Sequence, residues 1–181
     1  GLAGKPYPHV EVGIVDPVTG EPIEGPGEGE LVVRGPGVFA GYFRDPEATA
    51  LALRGGWLHT GDLVRRDAEG DHQIVDRIKD IYLSGGEGIA PAEIESVLFE
   101  HPAVADAAVV GVPDDRWGEV GVAYVVLRSG RATDAREILE FCAERLASFK
   151  LPKHVVVVDE IPRTSGSKVL RRVLLERWVA Q

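Results

Sequence analysis

Three short runs in this 181-residue chain combine ionisable side chains with glycine-rich turns: GWLHTGD over 56–62, DRIKDIYLSGGEG over 76–88 and PRTSGSK over 162–168. Asp62 ends the first run in a glycine-containing turn, where a carboxylate can accept hydrogen bonds from both hydroxyls of a ribose; taken alone, an aspartate there more readily stabilises an Asx-type turn. Arg77 follows a strand-like run, and its planar fork suits bidentate contact with ribose or phosphate oxygens, the ordinary alternative being an ion pair with Asp76 or Asp80. Lys168 comes directly after Thr164-Ser165-Gly166-Ser167, at the expected start of the last helix. A lysine is poorly placed there for the helix dipole, but its flexible stem can carry a point charge into a site formed by another body. Ser84-Gly85-Gly86-Glu87-Gly88 has the small residues of a phosphate nest, a weak signal by itself. Trp117, in GVPDDRWGE, sits in a context too polar for a core residue and offers a stacking face, or else packs under its own loop.

Composition bounds what these residues can serve. Hydrophobic residues make up 44% of the chain, enough to build a core at this length. The formal charge of −9 argues against a nucleic-acid or anionic-membrane surface, which needs clustered cations. The single cysteine, Cys142, excludes an internal disulfide framework, and its helical spacing with Ile138, Leu139 and Leu146 marks it as a small buried apolar residue. No apolar run is long enough to span a bilayer or to form a signal sequence, so a cytoplasmic location is the expectation. The chain opens Gly1-Leu2-Ala3-Gly4 and contains no Met, so it reads as a piece of something longer, with a split-gene product as the alternative. It contains no GxxxxGK[ST] loop.

Two grammars succeed one another along the chain. Before residue 77, short strands are cut by Gly and Pro: Val10 to Asp16 alternates, PVTGEPI is a turn, and Gly29 to Arg34 is the next strand. Asp45-Pro46-Glu47 starts a helix that Gly55-Gly56 stops, and Leu63 to Arg66 pairs with His72 to Arg77 as a hairpin. After residue 80, helices at Pro91 to Glu100 and Arg136 to Leu146 alternate with nearly continuous apolar strands at Ala107 to Val112, Val120 to Leu127 and Val155 to Val158. A last helix carries Val169, Leu170, Val173, Leu174 and Trp178 at helical spacing. The expected class is α+β, with a sheet covered by helices in the second part.

In their order and separations, the three opening runs resemble the back end of the adenylate-forming (AMP-binding) acyl-CoA synthetases, the acid–CoA ligases that activate a carboxylic acid with ATP and pass it to coenzyme A. The resemblance covers essentially the whole chain. It does not extend to the front of such an enzyme, whose Ser/Thr/Gly-rich phosphate loop and aromatic-Gly-x-Thr-Glu motif are not found here. It implies that residues 1–77 are the last β-rich subdomain of the N-terminal AMP-binding domain. Residues 78–80 would be the hinge, with Lys79 as pivot, and 81–181 a mobile C-terminal domain of antiparallel sheet and covering helices.

The same resemblance assigns roles. Asp62 and Arg77 would bind the nucleotide, and Lys168 would bridge carboxylate and phosphate oxygens during adenylation. Gly85 and Gly86 would line the tunnel for the pantetheine arm of coenzyme A. Trp117 would lie on the adenine of coenzyme A, with Phe149, Lys150 and Lys153 completing that site and the lysines facing the 3′-phosphate. The implied partners are a small-molecule carboxylic acid, ATP as its Mg complex, coenzyme A and the missing N-terminal portion, with no resident metal. The chain departs from the family pattern at Ser167, where Gly is usual, at Gly88, often Asn, and at Leu151, where some relatives carry a cation. Two other readings stand beside this one. An adenylation domain that loads a carrier protein usually shows Gly-Arg-x-Asp and Arg-Ile-Glu where this chain has Asp76-Arg77-Ile78-Lys79 and Gly88-Ile89-Ala90-Pro91. A non-catalytic module would bind nucleotide or coenzyme A without turnover.

Overall fold

The alternating residues of the first part form a five-stranded antiparallel sheet in the computed structural model, which describes residues 2–179. Its strands are β1 (Leu2–Gly4), β2 (Glu11–Val15), β3 (Gly27–Arg34), β4 (Leu58–Arg66) and β5 (His72–Arg77), in the spatial order β1-β5-β4-β3-β2. Helix α1 (Pro46–Ala52) starts where the sequence marks it: Asp45 caps the helix by accepting from the Ala48 N–H, and Pro46 takes the first turn, where no amide is needed. The chain divides into two units, the first ending at Lys79 and the second beginning at Asp80. Among the described residues of the first unit, the fully buried apolar side chains are Ile14, Val32 and Val64, joined by the polar Glu30, His72 and Asp76.

The second unit holds β6 (Tyr82–Ser84), β7 (Glu87–Ile89), α2 (Pro91–Glu100), β8 (Val104–Asp114), β9 (Gly118–Leu127), α3 (Ala135–Ala143), β10 (His154–Val157) and α4 (Arg171–Val179). Strands β8 and β9 form a long antiparallel hairpin; the other edge of β9 is shared by β6, through Ser84 and Gly118, and by β10. β10 runs parallel to β9, which departs from the all-antiparallel expectation because the chain crosses over through α3 before returning.

Both faces of this sheet are covered, which is why β8 and β9 read as unbroken apolar runs. Val109, Ala123 and Val125 meet Ile94 and Leu98 of α2 and Ile138 and Cys142 of α3 on one face. Val110, Val112, Val122 and Tyr124 meet Leu174 of α4 on the other, where the Tyr124 hydroxyl donates to the Leu174 carbonyl. Each buried Leu or Ile contributes about 1.5–3 kcal/mol relative to exposure. The Cys142 thiol is fully buried, and that burial raises its pKa, as expected of a structural cysteine. Tyr82 packs flat over the cross-strand pair Gly111 and Gly121; a Cβ at Gly111 would stand 2.2 Å from the tyrosine Cβ. That slot fixes the strand leading into the glycine loop. No helix among the described residues is long and apolar enough to cross a membrane.

Candidate active site

In the first unit, Asp62 lies in the middle of β4, not in a turn at its end. Glu30 opposes Leu63 and Val32 opposes His59, so residues 60–62 face Leu31 alone and β4 bulges outward. Gly61 takes φ 71 at the bulge, a left-handed conformation that favours glycine. The Thr60 hydroxyl donates to the Leu31 carbonyl at 2.8 Å and accepts from the Asp62 N–H at 3.1 Å. Asp62 and Arg77 thereby become direct cross-strand partners, and Arg77 Nε meets Asp62 Oδ1 at 2.5 Å. Asp62 is partly covered and Arg77 half-exposed, so carboxylate lone pairs and guanidinium donors remain for a ligand. Arg77 pairs with Asp62, and Asp76 turns back to accept its own neighbour's amide, that of Arg77. Lys79, in the single turn Ile78–Asp80, lines a cavity of about 650 Å³ together with Tyr42, Thr60, Gly61 and Arg77.

In the second unit, the glycine loop and Trp117 meet. Gly85, at φ 61, donates its N–H to the Trp117 carbonyl at 2.8 Å, and a Cβ on Gly85 would lie 3.1 Å from the indole ring. The Leu83 N–H donates to Glu119, tying the loop to β9 as well. These contacts make one wall of a groove of about 530 Å³; Phe149, Leu151 and Lys153 make the other. Gly86 (φ 90) and Lys150 do not line it. Trp117 is 44% exposed, and the Arg116 guanidinium stacks 4.7 Å from the ring centroid, so one face of the indole is held by protein.

The two lysines expected to face a phosphate are held by carboxylates. Lys150 Nζ donates to both oxygens of Glu93 at 2.7 Å, and Lys153 Nζ meets Asp114 Oδ2 at 2.5 Å. Asp114 also accepts from the Arg116 and Trp117 N–H groups. The Lys153 hydrogen bond and these two backbone donors hold the Asp114 carboxyl down at about 2. Asp114, Glu119 and Glu93 escape a sequence reading because each acts on a loop brought near by folding; the Pro-Asp-Asp turn before Trp117 is the one signal that pointed to Asp114.

Lys168 does not begin the last helix. It sits in a tight hairpin in which Arg163 and Val169 bridge, Thr164 N–H donates to the Lys168 carbonyl and Lys168 N–H to the Thr164 hydroxyl, with α4 starting at Arg171. The cause is Ser167, whose φ of 64 breaks any helical path. The lysine is exposed and forms no ion pair among the described residues. Arg163 holds the loop from beside it, donating to the Ser167 carbonyl and pairing with Asp106 on β8.

Residues 93–168 match the AMP-binding enzyme C-terminal domain family, and residues 1–43 match the AMP-binding enzyme family. The chain belongs to the AMP-binding, adenylate-forming enzymes. Among its relatives is 2-succinylbenzoate–CoA ligase of Bacillus cereus, 49% identical over 96% of this chain and 35% of the ligase. Another is feruloyl-CoA synthase of an Amycolatopsis species, 47% identical over 98% of this chain and 36% of the synthase. Solved structures that match include ATP-bound MatB from Rhodopseudomonas palustris, with TM-score 0.91 and 38% identity over 98% of this chain and 36% of that one. The o-succinylbenzoate CoA synthetase of Bacillus subtilis, in complex with its acyl-adenylate intermediate, matches with TM-score 0.90 and 44% identity over 96% of this chain and 35% of that one. The chain thus spans about a third of the length of these AMP-binding relatives.

Proposed function

We propose that the chain works as the C-terminal part of an AMP-forming acid–CoA ligase, the parent ligase below. The observation that carries this reading is the similarity to CoA ligases along 96% of the chain, joined to a groove whose walls are Gly85, Trp117 and Phe149. The exposed aromatic residues of the first unit, among them Tyr7, Tyr42 and Phe43, agree with it, since aromatic side chains left exposed beside a small core are ones that a further body could cover.

In the first half-reaction a substrate carboxylate attacks the α-phosphorus of ATP, supplied as its Mg complex, and pyrophosphate leaves. Asp62 accepts the ribose hydroxyls, and Arg77 supplies a fixed cation beside them. Lys168, exposed and without an internal counter-ion among the described residues, neutralises charge shared between carboxylate and α-phosphate oxygens. In the second half-reaction the thiolate of coenzyme A attacks the acyl carbon and AMP leaves. Gly85 lets the pantetheine arm pass close to the backbone, with Gly86 supplying the turn beside it rather than the groove wall, while Trp117 and Phe149 take the adenine. Lys150 and Lys153 reach the 3′-phosphate only by exchanging Glu93 and Asp114 for it. Lys79 is the pivot between the two arrangements.

The test is a chimera in which this chain replaces the 175 matching residues of the Bacillus cereus ligase. Acid-dependent pyrophosphate release followed by CoA-thioester formation is the expected outcome. Release of pyrophosphate with no thioester, in a folded chimera, would refute the CoA-ligase assignment.

A further inference from the structure

Glu30 is a carboxylate with only 5% of its surface exposed, placed on β3 beside the bulge that carries Asp62. A charge so buried is costly unless its lone pairs are used. Here Oε1 accepts the Gly61 N–H at 3.0 Å, while Oε2 faces His59 Nδ1 at 2.8 Å and Arg54 Nη2 at 3.2 Å. All three partners lie in the run that leads into Asp62. The Gly61 amide, turned out of the strand ladder by its left-handed conformation, would otherwise be left without an acceptor. Thr60 closes the same bulge from the other side, through the Leu31 carbonyl and the Asp62 amide.

We infer that Glu30, seconded by Thr60, is a positioning residue for nucleotide recognition: it locks the bulge at residues 60–62 in the one shape that presents Asp62 to the ribose beside Arg77. The inference rests on the ribose role proposed for Asp62. Its mechanism is specific to a carboxylate, because both oxygens must accept at once. A glutamine of the same size offers one oxygen and one NH₂ group, so a single oxygen must serve where the Gly61 amide and Arg54 now draw on two, and the NH₂ group can serve only a His59 whose Nδ1 accepts. Asp62 then loses its fixed direction, although the ion-pair partner Arg77 is unchanged.

The experiment compares ATP with 3′-deoxyATP in the parent ligase, reading the ratio of kcat/KM for adenylate formation. Glu30→Gln is expected to lower that ratio about tenfold, toward the value for Asp62→Ala, while activity with 3′-deoxyATP changes by less than about threefold. Thr60→Val, which keeps side-chain shape, is expected to move the ratio the same way and serves if Glu30→Gln does not fold. Equal losses with both nucleotides, or an unchanged ratio in folded variants, would overturn the positioning role. A wild-type ratio of one would overturn the ribose role of Asp62 and this inference with it. In the 181-residue chain, hydrogen exchange at the Gly61 amide is expected to quicken about tenfold in Glu30→Gln; an unchanged rate would break the Glu30–Gly61 link itself.

Discussion

Two loops of the second unit, 83–88 and 162–170, both turn through left-handed backbone, yet the first does so at Gly85 and Gly86 and the second at Ser167. At Gly85 a side chain would meet two obstacles together, the positive φ and the Trp117 ring. At Ser167 the side chain points into open surroundings, and only the backbone preference opposes it. The anchoring differs in the same sense. The glycine loop is fastened to the β8–β9 turn through the Trp117 carbonyl and to β9 through Glu119, forming a wall before any ligand arrives. The lysine loop closes on itself through Thr164 and is steadied by Arg163, leaving Lys168 exposed. A preformed groove suits a long substrate arm that must be threaded and aligned. A projecting cation suits a group that engages a site for one step and leaves for the next.

That contrast can be broken in graded ways. The largest effect is expected for Lys168→Ala in the parent ligase: adenylate formation falls about 10²–10³-fold, the scale of removing one electrostatic stabiliser, while thioester formation from supplied acyl-adenylate stays within about threefold. Next comes Gly85→Val. A β-branched residue in left-handed backbone costs about 1–2 kcal/mol, and crowding of Trp117 adds to it, so the thioester step should slow about tenfold or more with adenylation nearly intact. Stopped-flow release of AMP and of pyrophosphate separates the two steps.

Smaller still is Ser167→Gly, which relieves left-handed strain but loosens the unfolded chain; a net gain of about 1 kcal/mol or less is expected in urea unfolding. A clear loss would mean that the serine side chain holds the loop. The smallest effect concerns acid. Asp114 has a folded pKa of about 2 against an ordinary 3.8, so the stability it contributes is complete above pH 3.8 and is lost as pH falls toward 2. Asp114→Asn should flatten that part of the acid-unfolding curve, and an unchanged slope would show that the Lys153 and backbone hydrogen bonds do not outlast the unfolded state's own.

Local signals were legible where local physics decides. Asp45-Pro46-Glu47 gave the start of α1, and Pro91 with Ile94, Val97 and Leu98 gave α2 to the residue. The apolar runs of β8 and β9 were readable because both faces of their sheet are buried. The start of α4 was misplaced because Val169 and Leu170 continue its spacing, while Ser167 and the Arg163–Val169 bridge keep them out of it. Nor could spacing show that β10 runs parallel to β9, or that Glu93 and Asp114 occupy Lys150 and Lys153, because those pairings join residues distant in the chain, the two ion pairs across 57 and 39 positions. Around the β4 bulge, Asp62 and Arg77 were visible as motif residues. Glu30, which shapes the bulge between them from a different strand, was not.

The most direct test of the account is a crossed measurement: ATP–pyrophosphate exchange and thioester formation from purified acyl-adenylate, both in Lys168→Ala and in Gly85→Val. A diagonal result is expected, with Lys168→Ala failing only the first assay and Gly85→Val failing only the second. Parallel losses in both assays for both folded variants would contradict the assignment of the two loops to separate steps.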